Sequence, residues 1–137
     1  MHDARIDSLA RQLVRYSTSL KKGEKVLIDL HDVPDSIGLA LIREVRAKGG
    51  LPFLRIHQGR LTREMLRGAE DKQYSVLAKH LLAEMKDMDV YLAIRGGLNI
   101  AETSDVPADR MKLAMKHMRP VLDHRVKKTR WCVLRWP

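Results

Sequence analysis

Polar side chains follow two of the apolar segments in this sequence, where a parallel sheet would bind a small ligand. One pair comes directly after the segment 26–30, and the other flanks a Gly-Gly turn after the segment 89–94. A guanidinium group beside the backbone N–H groups of such a turn can hold a carboxylate or a phosphate. If the two segments are adjacent parallel strands, their carboxyl ends meet on one rim. The candidate substrate or anion site on this rim consists of His31, Asp32, Arg95 and Asn99.

A simpler interpretation of the same residues stays open. Polar residues commonly occupy solvated loops, where they need no ligand. The Gly96-Gly97 pair then only allows the chain to turn tightly after the strand.

The histidines and carboxylates show no spacing that is typical of a metal site. Six histidines are present, and none lies in a His-Glu-x-x-His or related zinc-binding pattern. His117 and His124 are seven residues apart and could share a helix face, but Pro120 lies between them. The acidic residues are scattered, so no pair indicates acid–base chemistry. The sequence therefore predicts no metal ligand and no catalytic residue in this chain.

Nucleotide-binding and nucleophile motifs are also absent from the sequence. The turn after the first apolar segment, 31–34, is not a Gly-x-Gly-x-x-Gly loop, and no phosphate-binding Gly-x-x-x-x-Gly-Lys loop occurs. No Gly-x-Ser-x-Gly elbow is present, and Cys132 has no evident base partner. The sequence thus predicts no cofactor bound by this chain.

The net charge of +9 has more than one interpretation. Basic residues crowd the segments 60–67 and 119–130, which is typical of a surface that meets an acidic partner. A groove for nucleic acid would also need stacking aromatic residues, and the chain has only two Trp, three Tyr and one Phe. We therefore interpret the basic residues as a solvated face or a face that meets an acidic part of a longer chain.

The sequence also indicates the compartment. No apolar run approaches the roughly 20 residues that span a bilayer, and no secretory signal begins the chain. A lone cysteine within an apolar run, Cys132, is typical of a buried thiol in a reducing cytoplasm. We expect a cytoplasmic protein with no membrane partner.

The elements that must position these residues alternate between helical and strand-like periods. Met111, Met115 and Met118 share one side of the fourth helix and are expected in the core, and Pro120 is expected to end or kink that helix. A shorter helical turn begins near Thr62 and ends at Gly68. The predicted helices otherwise cover about 3–20, 34–48 and 70–88, and the predicted strands cover 26–30, 52–57, 89–94 and 131–134.

This alternation predicts an α/β fold. Near-continuous apolar strands between helices are typical of parallel pairing, with helices on both faces. Right-handed crossovers then favour a small doubly wound, mainly parallel four-stranded sheet, a Rossmann-like three-layer sandwich. One domain is expected to fill residues 1–137. Because the last predicted element is a strand, which would have an uncovered edge or face, we expect a longer parent chain.

The order of the segments resembles the thermophilic aminopeptidase family along essentially the whole chain. A helix with Arg-Ile-x-x-Leu-Ala at 5–10 is followed by Tyr-Ser at 16–17 and by Lys-Gly-Glu-Lys-Val-Leu-Ile at 22–28. Each motif is weak alone, but their joint order and spacing are fairly specific. The remaining family-like segments are 41–44, 48–52, 89–94, 106–107, 130–131 and 136–137, together with Asn99.

The resemblance implies a metal-dependent exopeptidase that removes amino-terminal residues from peptides. Members of the family use two divalent metal ions, of zinc or cobalt type, held by Glu, His and Asp in the carboxy-terminal part of their chains, beyond the position of Pro137. The resemblance therefore implies that this chain is an amino-terminal, non-catalytic domain. Its expected partners are the catalytic domain of the parent chain, a second copy in a homodimer, and the peptide substrate. The loop 31–35 and the basic tail do not match the family pattern.

Two functions of other classes stay open at the level of sequence. The chain could be a free-standing binding module for an anionic small ligand, based on the rim with Arg95 and His31 and on the net charge. It could also bind nucleic acid, with an affinity that falls steeply as salt rises.

Overall fold

The protein is described here from a computed structural model, which describes residues 3–97 and 104–136. Helices and strands alternate along these residues, as the sequence predicts, and form an α/β fold with helices on both faces of one sheet. The elements are α1 (Ala4–Arg11), a π-helical segment (Gln12–Ser17), β1 (Lys25–His31), α2 (Asp35–Ala47), β2 (Leu51–His57), α3 (Gly59–Arg67), α4 (Asp71–Asp87), β3 (Val90–Arg95), α5 (Ala108–Lys128) and β4 (Arg130–Arg135).

The four strands form one parallel sheet in the order β2-β1-β3-β4. The first and third strands are therefore neighbours, and the chain crosses to opposite sides after them. In this register His31, the last residue of β1, is paired with His57 on one side and with Arg95 on the other. The predicted doubly wound, parallel sandwich is confirmed.

The two central strands are buried on both faces. Val26, Ile28 and Leu30 pack with residues of α1 and α2 in the larger core cluster. Leu27 points to the opposite face, where it packs with Tyr91 of β3 and with side chains of α4 and α5. Asp29 lies on this second face and is the one buried carboxylate among the described residues.

The first helix differs from the sequence expectation in its second half. The helix predicted over 3–20 ends at Ser17, and its last six residues have π-helical hydrogen bonding. The N–H of Thr18 donates to the carbonyl of Leu13 at 3.1 Å, five residues earlier. Its buried hydroxyl donates to the carbonyls of Leu13 and Val14 at 2.9 and 3.0 Å. Thr18 thus satisfies carbonyl groups that a helix end leaves without partners.

Two other boundaries also differ. Pro120 does not end α5, which continues for eight more residues to Lys128. An exposed proline deletes one backbone hydrogen bond, and the contacts of α5 with α4 and the sheet outweigh this loss. The helix that was expected to start near Thr62 begins at Gly59, because Asp32 accepts hydrogen bonds from the Gly59 N–H at 3.0 and 3.2 Å. A side chain distant in sequence thus caps α3.

Cys132 is partly buried on β4 against the larger core cluster, rather than fully buried. Burial raises the pKa of its thiol. No helix within residues 3–97 and 104–136 is long and apolar enough to cross a bilayer.

The loops after β1 and β3 are in close backbone contact. A Cβ atom added to Gly96 would lie 2.7 Å from the carbonyl oxygen of Asp32 and 3.0 Å from a methyl carbon of Val33. The Gly96 N–H also donates to the carbonyl of His31 at 2.7 Å. This contact fixes the carboxyl ends of the two central strands against each other.

Replacing Gly96 by alanine is expected to lower the free energy of unfolding by about 1–3 kcal/mol, because the added methyl group must displace backbone. Urea denaturation followed by tryptophan fluorescence measures the change. Gly68→Ala is the matched control, since nothing lies within 4 Å of its added Cβ. Equal stability of the two variants would contradict the close contact.

Candidate functional site

A buried carboxylate and two imidazoles converge on the α4/α5 face of the sheet. Asp29 and His31 are two residues apart on β1, so their side chains point to the same face. His57 joins them because the parallel register places it beside His31. The Nε2 atoms of His31 and His57 lie 3.3 and 2.7 Å from Oδ1 of Asp29. Edge strand β2 therefore supplies one residue to a site that is built mainly on β1.

The two imidazole rings are stacked face to face. Their centroids are 4.2 Å apart, and their planes differ by 8°. Each ring directs Nε2 towards the same carboxylate oxygen, but Oδ1 of Asp29 and Nε2 of His31 are buried without a hydrogen bond of good geometry. Side chains in such a position are short of a partner, and this is the usual condition of an incomplete polar site.

Tyr91 holds the other oxygen of this carboxylate. Its hydroxyl donates to Oδ2 of Asp29 at 2.5 Å, and the guanidinium of Arg125 lies 3.9 Å above the centre of its ring. Burial raises the pKa of Tyr91, and the negative charge of Asp29 raises it further. The hydroxyl is thus a proton donor that keeps its proton and fixes the orientation of the carboxylate.

Asp29 remains ionised in spite of its position. Burial alone would raise its pKa, because a low dielectric disfavours the charged form. The polar contacts from His31, His57 and Tyr91 outweigh burial and hold the pKa of Asp29 well below its usual range. The carboxylate therefore carries a full negative charge at neutral pH.

The cluster opens into a cleft of about 350 Å³ between the sheet and three helices. Its walls include Thr62 of α3, Leu81 of α4 and Met118 of α5. Arg55 at the rim is occupied by Glu84, with two hydrogen bonds of 2.6 and 2.7 Å. Arg95 and Arg125 line the same cleft, and Nε of Arg125 is buried without a hydrogen bond.

One methionine that was expected in the core lies at this cleft instead. Met115 lines the cleft and is exposed, whereas Met118 packs against the core cluster of the α4/α5 face. A flexible thioether at the opening gives the cleft an apolar border that adapts in shape.

The residues of the predicted rim have different surroundings. His31 and Arg95 are neighbours in the register, and both line the cleft. Asp32 has a positive φ of 54° and directs its carboxylate away to the Gly59 N–H. It borders a separate cavity of about 470 Å³ with His57, Arg60 and Gly97. Asn99 lies outside the described residues, and the function of the rim stays a prediction.

Sequence reasoning missed Asp29, His57 and Tyr91 as members of one polar group. A signal for the first was present, because an Asp-Leu-His run inside an apolar strand places the acid and the imidazole on one face. The contribution of His57 depends on the register between β1 and β2, which the sequence alone does not fix.

The family model of the thermophilic metalloprotease (M29) matches residues 2–137, which is nearly the whole chain. The chain belongs to this family. The resemblance inferred from the sequence motifs is thus confirmed, and the family is one of metallopeptidases.

Solved structures agree with the M29 assignment at the level of the fold. The chain is similar to wild-type AmpT from Thermus thermophilus, with a TM-score of 0.74 and 17% identity over 96% of this chain. It spans 36% of the length of the AmpT chain. A match to VinN has a TM-score of 0.39 and 12% identity, over 82% of this chain and 27% of that chain, and carries no argument. No curated protein sequence matches the chain.

The described donors do not fit a two-metal peptidase site. Asp29, His31 and His57 form the one group of three potential ligands within residues 3–97 and 104–136. A pair of metal ions that share a water molecule needs bridging and terminal carboxylates, and this group supplies a single carboxylate. No step of peptide hydrolysis is therefore assigned to these residues.

Tyr91→Phe is expected to lower the free energy of unfolding at pH 7 by about 1–3 kcal/mol, because Oδ2 of Asp29 loses its buried donor. The lowered pKa of Asp29 contributes stability above its ordinary pKa of about 4, and this contribution is lost as the pH falls through the folded value. The gap between wild type and variant should therefore narrow below about pH 4. Urea denaturation at several pH values, with EDTA present, measures this gap.

Tyr16→Phe is the control for this variant, because the Tyr16 side chain is exposed. It should change stability little at any pH. A gap for Tyr91→Phe that is absent at pH 7, or that widens on acidification, would contradict the assigned hydrogen bond.

Proposed function

We propose that residues 1–137 form the amino-terminal, non-catalytic domain of an M29 metalloaminopeptidase. The single observation that carries this proposal is the extent of the matches. The family match covers 2–137, while the similar chain of AmpT is almost three times as long. The peptidase chemistry, with two divalent ions of zinc or cobalt type, then belongs to the remainder of the parent chain.

The donor set supports this division of labour. Two metal ions lower the pKa of a bridging water and polarise the scissile carbonyl, and both ions need several oxygen and nitrogen ligands. Within the described residues, the one group of three donors is too small for this task. Hydrolysis of amino-terminal residues from peptides is therefore proposed for the parent protein and not for this domain alone.

The surface of the domain fits a supporting role in a larger enzyme. The chain carries a net charge of +9, and a positive surface is complementary to an acidic catalytic domain. Edge strand β2 exposes Phe53, Leu54 and Ile56, which a neighbouring domain or a second copy would cover. A homodimer of the parent and a cytoplasmic location belong to the same proposal.

The test compares two proteins, the 137-residue chain and the product of the uninterrupted reading frame. Each is assayed with leucine p-nitroanilide in the presence of Zn²⁺ or Co²⁺. We expect turnover by the longer protein alone. Far-ultraviolet circular dichroism confirms that the shorter chain is folded in the same buffer.

Turnover by the 137-residue chain above that of metal in buffer would overturn the non-catalytic assignment. A stop codon directly after Pro137 would overturn the proposal of a longer parent. A longer product that is folded and inactive on every amino-acid p-nitroanilide would contradict the aminopeptidase activity.

A second candidate is a module that binds an anionic small ligand on the predicted rim. His31 and Arg95 are paired in register, and Arg95 and Arg125 both line the cleft. The buried Nε of Arg125 has no hydrogen-bond partner in the described structure, which favours an incoming acceptor.

Inorganic phosphate at low ionic strength is expected to raise the melting temperature of the chain, and Arg95→Ala should remove most of this rise. Differential scanning fluorimetry measures both. Arg46→Ala is the control, because Arg46 is exposed on α2, which packs on the opposite face of the sheet. An equal rise in both variants would contradict binding at the rim.

A further inference from the structure

We propose that Asp29, His31 and His57 bind one divalent transition-metal ion of the zinc type. The site would lie within this domain and would be distinct from the paired metals of the peptidase reaction. This inference goes beyond the proposed function, because it concerns binding by the isolated chain and needs no catalytic activity.

The geometry of the three donors carries the proposal. One ligand atom from each residue, a carboxylate oxygen and two imidazole nitrogens, lies within 4.8 Å of the other two. Ligands of a tetrahedral zinc ion, at bond lengths of about 2.0–2.2 Å, are separated by roughly 3–4 Å. The donors therefore need only small side-chain movements to close around an ion.

The unsatisfied atoms of the cluster are the ones that would bind the metal. Oδ1 of Asp29 and Nε2 of His31 are both buried and both lack a hydrogen bond. Two imidazole nitrogens that face one oxygen can be served by a proton or by a metal ion. A metal would satisfy all three atoms at once, whereas one proton satisfies a single nitrogen–oxygen pair.

Charge is the second argument. The ion pairs of Asp29 in the described structure are with the two histidines, which are charged only when protonated. The nearby guanidinium of Arg55 is committed to Glu84. A buried carboxylate without a permanent cation is costly, and buried charges in proteins are paired or bind metals.

Tyr91 supplies the outer support that metal sites commonly have. Its hydroxyl donates to Oδ2 of Asp29 and leaves Oδ1 directed towards the histidines. Hydrogen bonds of this kind fix the orientation of a ligating carboxylate and raise metal affinity.

The stacked rings must tilt when the ion binds. In parallel planes 4.2 Å apart, an ion that lies in the plane of one imidazole is out of the plane of the other. The side chains of His31 and His57 are 30% and 37% exposed, so each ring has room to rotate. The stacked arrangement is thus the metal-free conformation of the site.

The ligand set selects the kind of ion. Two nitrogens and one oxygen suit Zn²⁺ and Co²⁺, whereas Mg²⁺ and Ca²⁺ prefer sites made of oxygen. Three protein ligands leave a fourth position open towards the cleft. A divalent ion with one carboxylate leaves a single positive charge, so an anionic fourth ligand would neutralise the site beside Arg95 and Arg125.

The experiment is titration of the metal-free, 137-residue chain with ZnCl₂ by isothermal calorimetry, and with CoCl₂ by visible absorption. We expect one ion per chain and cobalt bands of the intensity that is typical of four-coordinate Co²⁺. His57→Ala and Asp29→Asn should each weaken zinc binding by at least about 100-fold, since loss of an outer-shell partner alone costs roughly 10–100-fold. His80→Ala is the matched control, because His80 is exposed on α4 and should bind as the wild type does.

Circular dichroism and urea denaturation of each variant show whether it is folded, and Asp29→Asn keeps the shape of the side chain in case His57→Ala is unstable. Undiminished zinc binding by both folded variants would overturn the proposal, as would the absence of any zinc or cobalt binding by the wild type. Equal affinity for Mg²⁺ and Zn²⁺ would also overturn it. None of these results depends on peptidase activity, so they are separable from a failure of the proposed function.

Discussion

Asp29 lies in the middle of an apolar strand, on the inner side of a helical layer, and is 6% exposed. Moving an ionised carboxylate to such a place costs several kcal/mol unless partners replace its water. Tyr91 replaces water at one oxygen, and the two histidines approach the other. The neighbouring strands, the stacked rings and the position of Arg125 above Tyr91 all follow from where this one charge has to be satisfied.

The fold follows closely from the sequence because its signals are local. Apolar runs of strand length between amphipathic helices predict a parallel sheet, and the bounds of β1 and β3 differ from the structure by one residue at each end. The errors occur where a distant residue decides. Asp32 starts α3 earlier than Thr62 would, and packing carries α5 through Pro120. Periodicity contains no information about such contacts.

The polar site was less accessible to prediction for a related reason. Metal-binding patterns are recognised within one helix or one loop, whereas these donors come from two strands that are separated by a helix. His31 and Asp32 were singled out because they end a strand, and the acid that matters to His31 is Asp29, two residues earlier. Register between β1 and β2 then adds His57, and register between β1 and β3 adds Tyr91.

The tight junction of Gly96 with the backbone of Asp32 determines the direction from which a molecule can approach. Open parallel sheets usually admit ligands from above, through the crevice between the two diverging central loops. Here those loops touch, so the vertical route to Asp29 is shut. Entry is instead lateral, through a port bordered by Thr62 of α3 and Met115 of α5. The face of the sheet, rather than its crest, is therefore the chemically accessible surface of this domain.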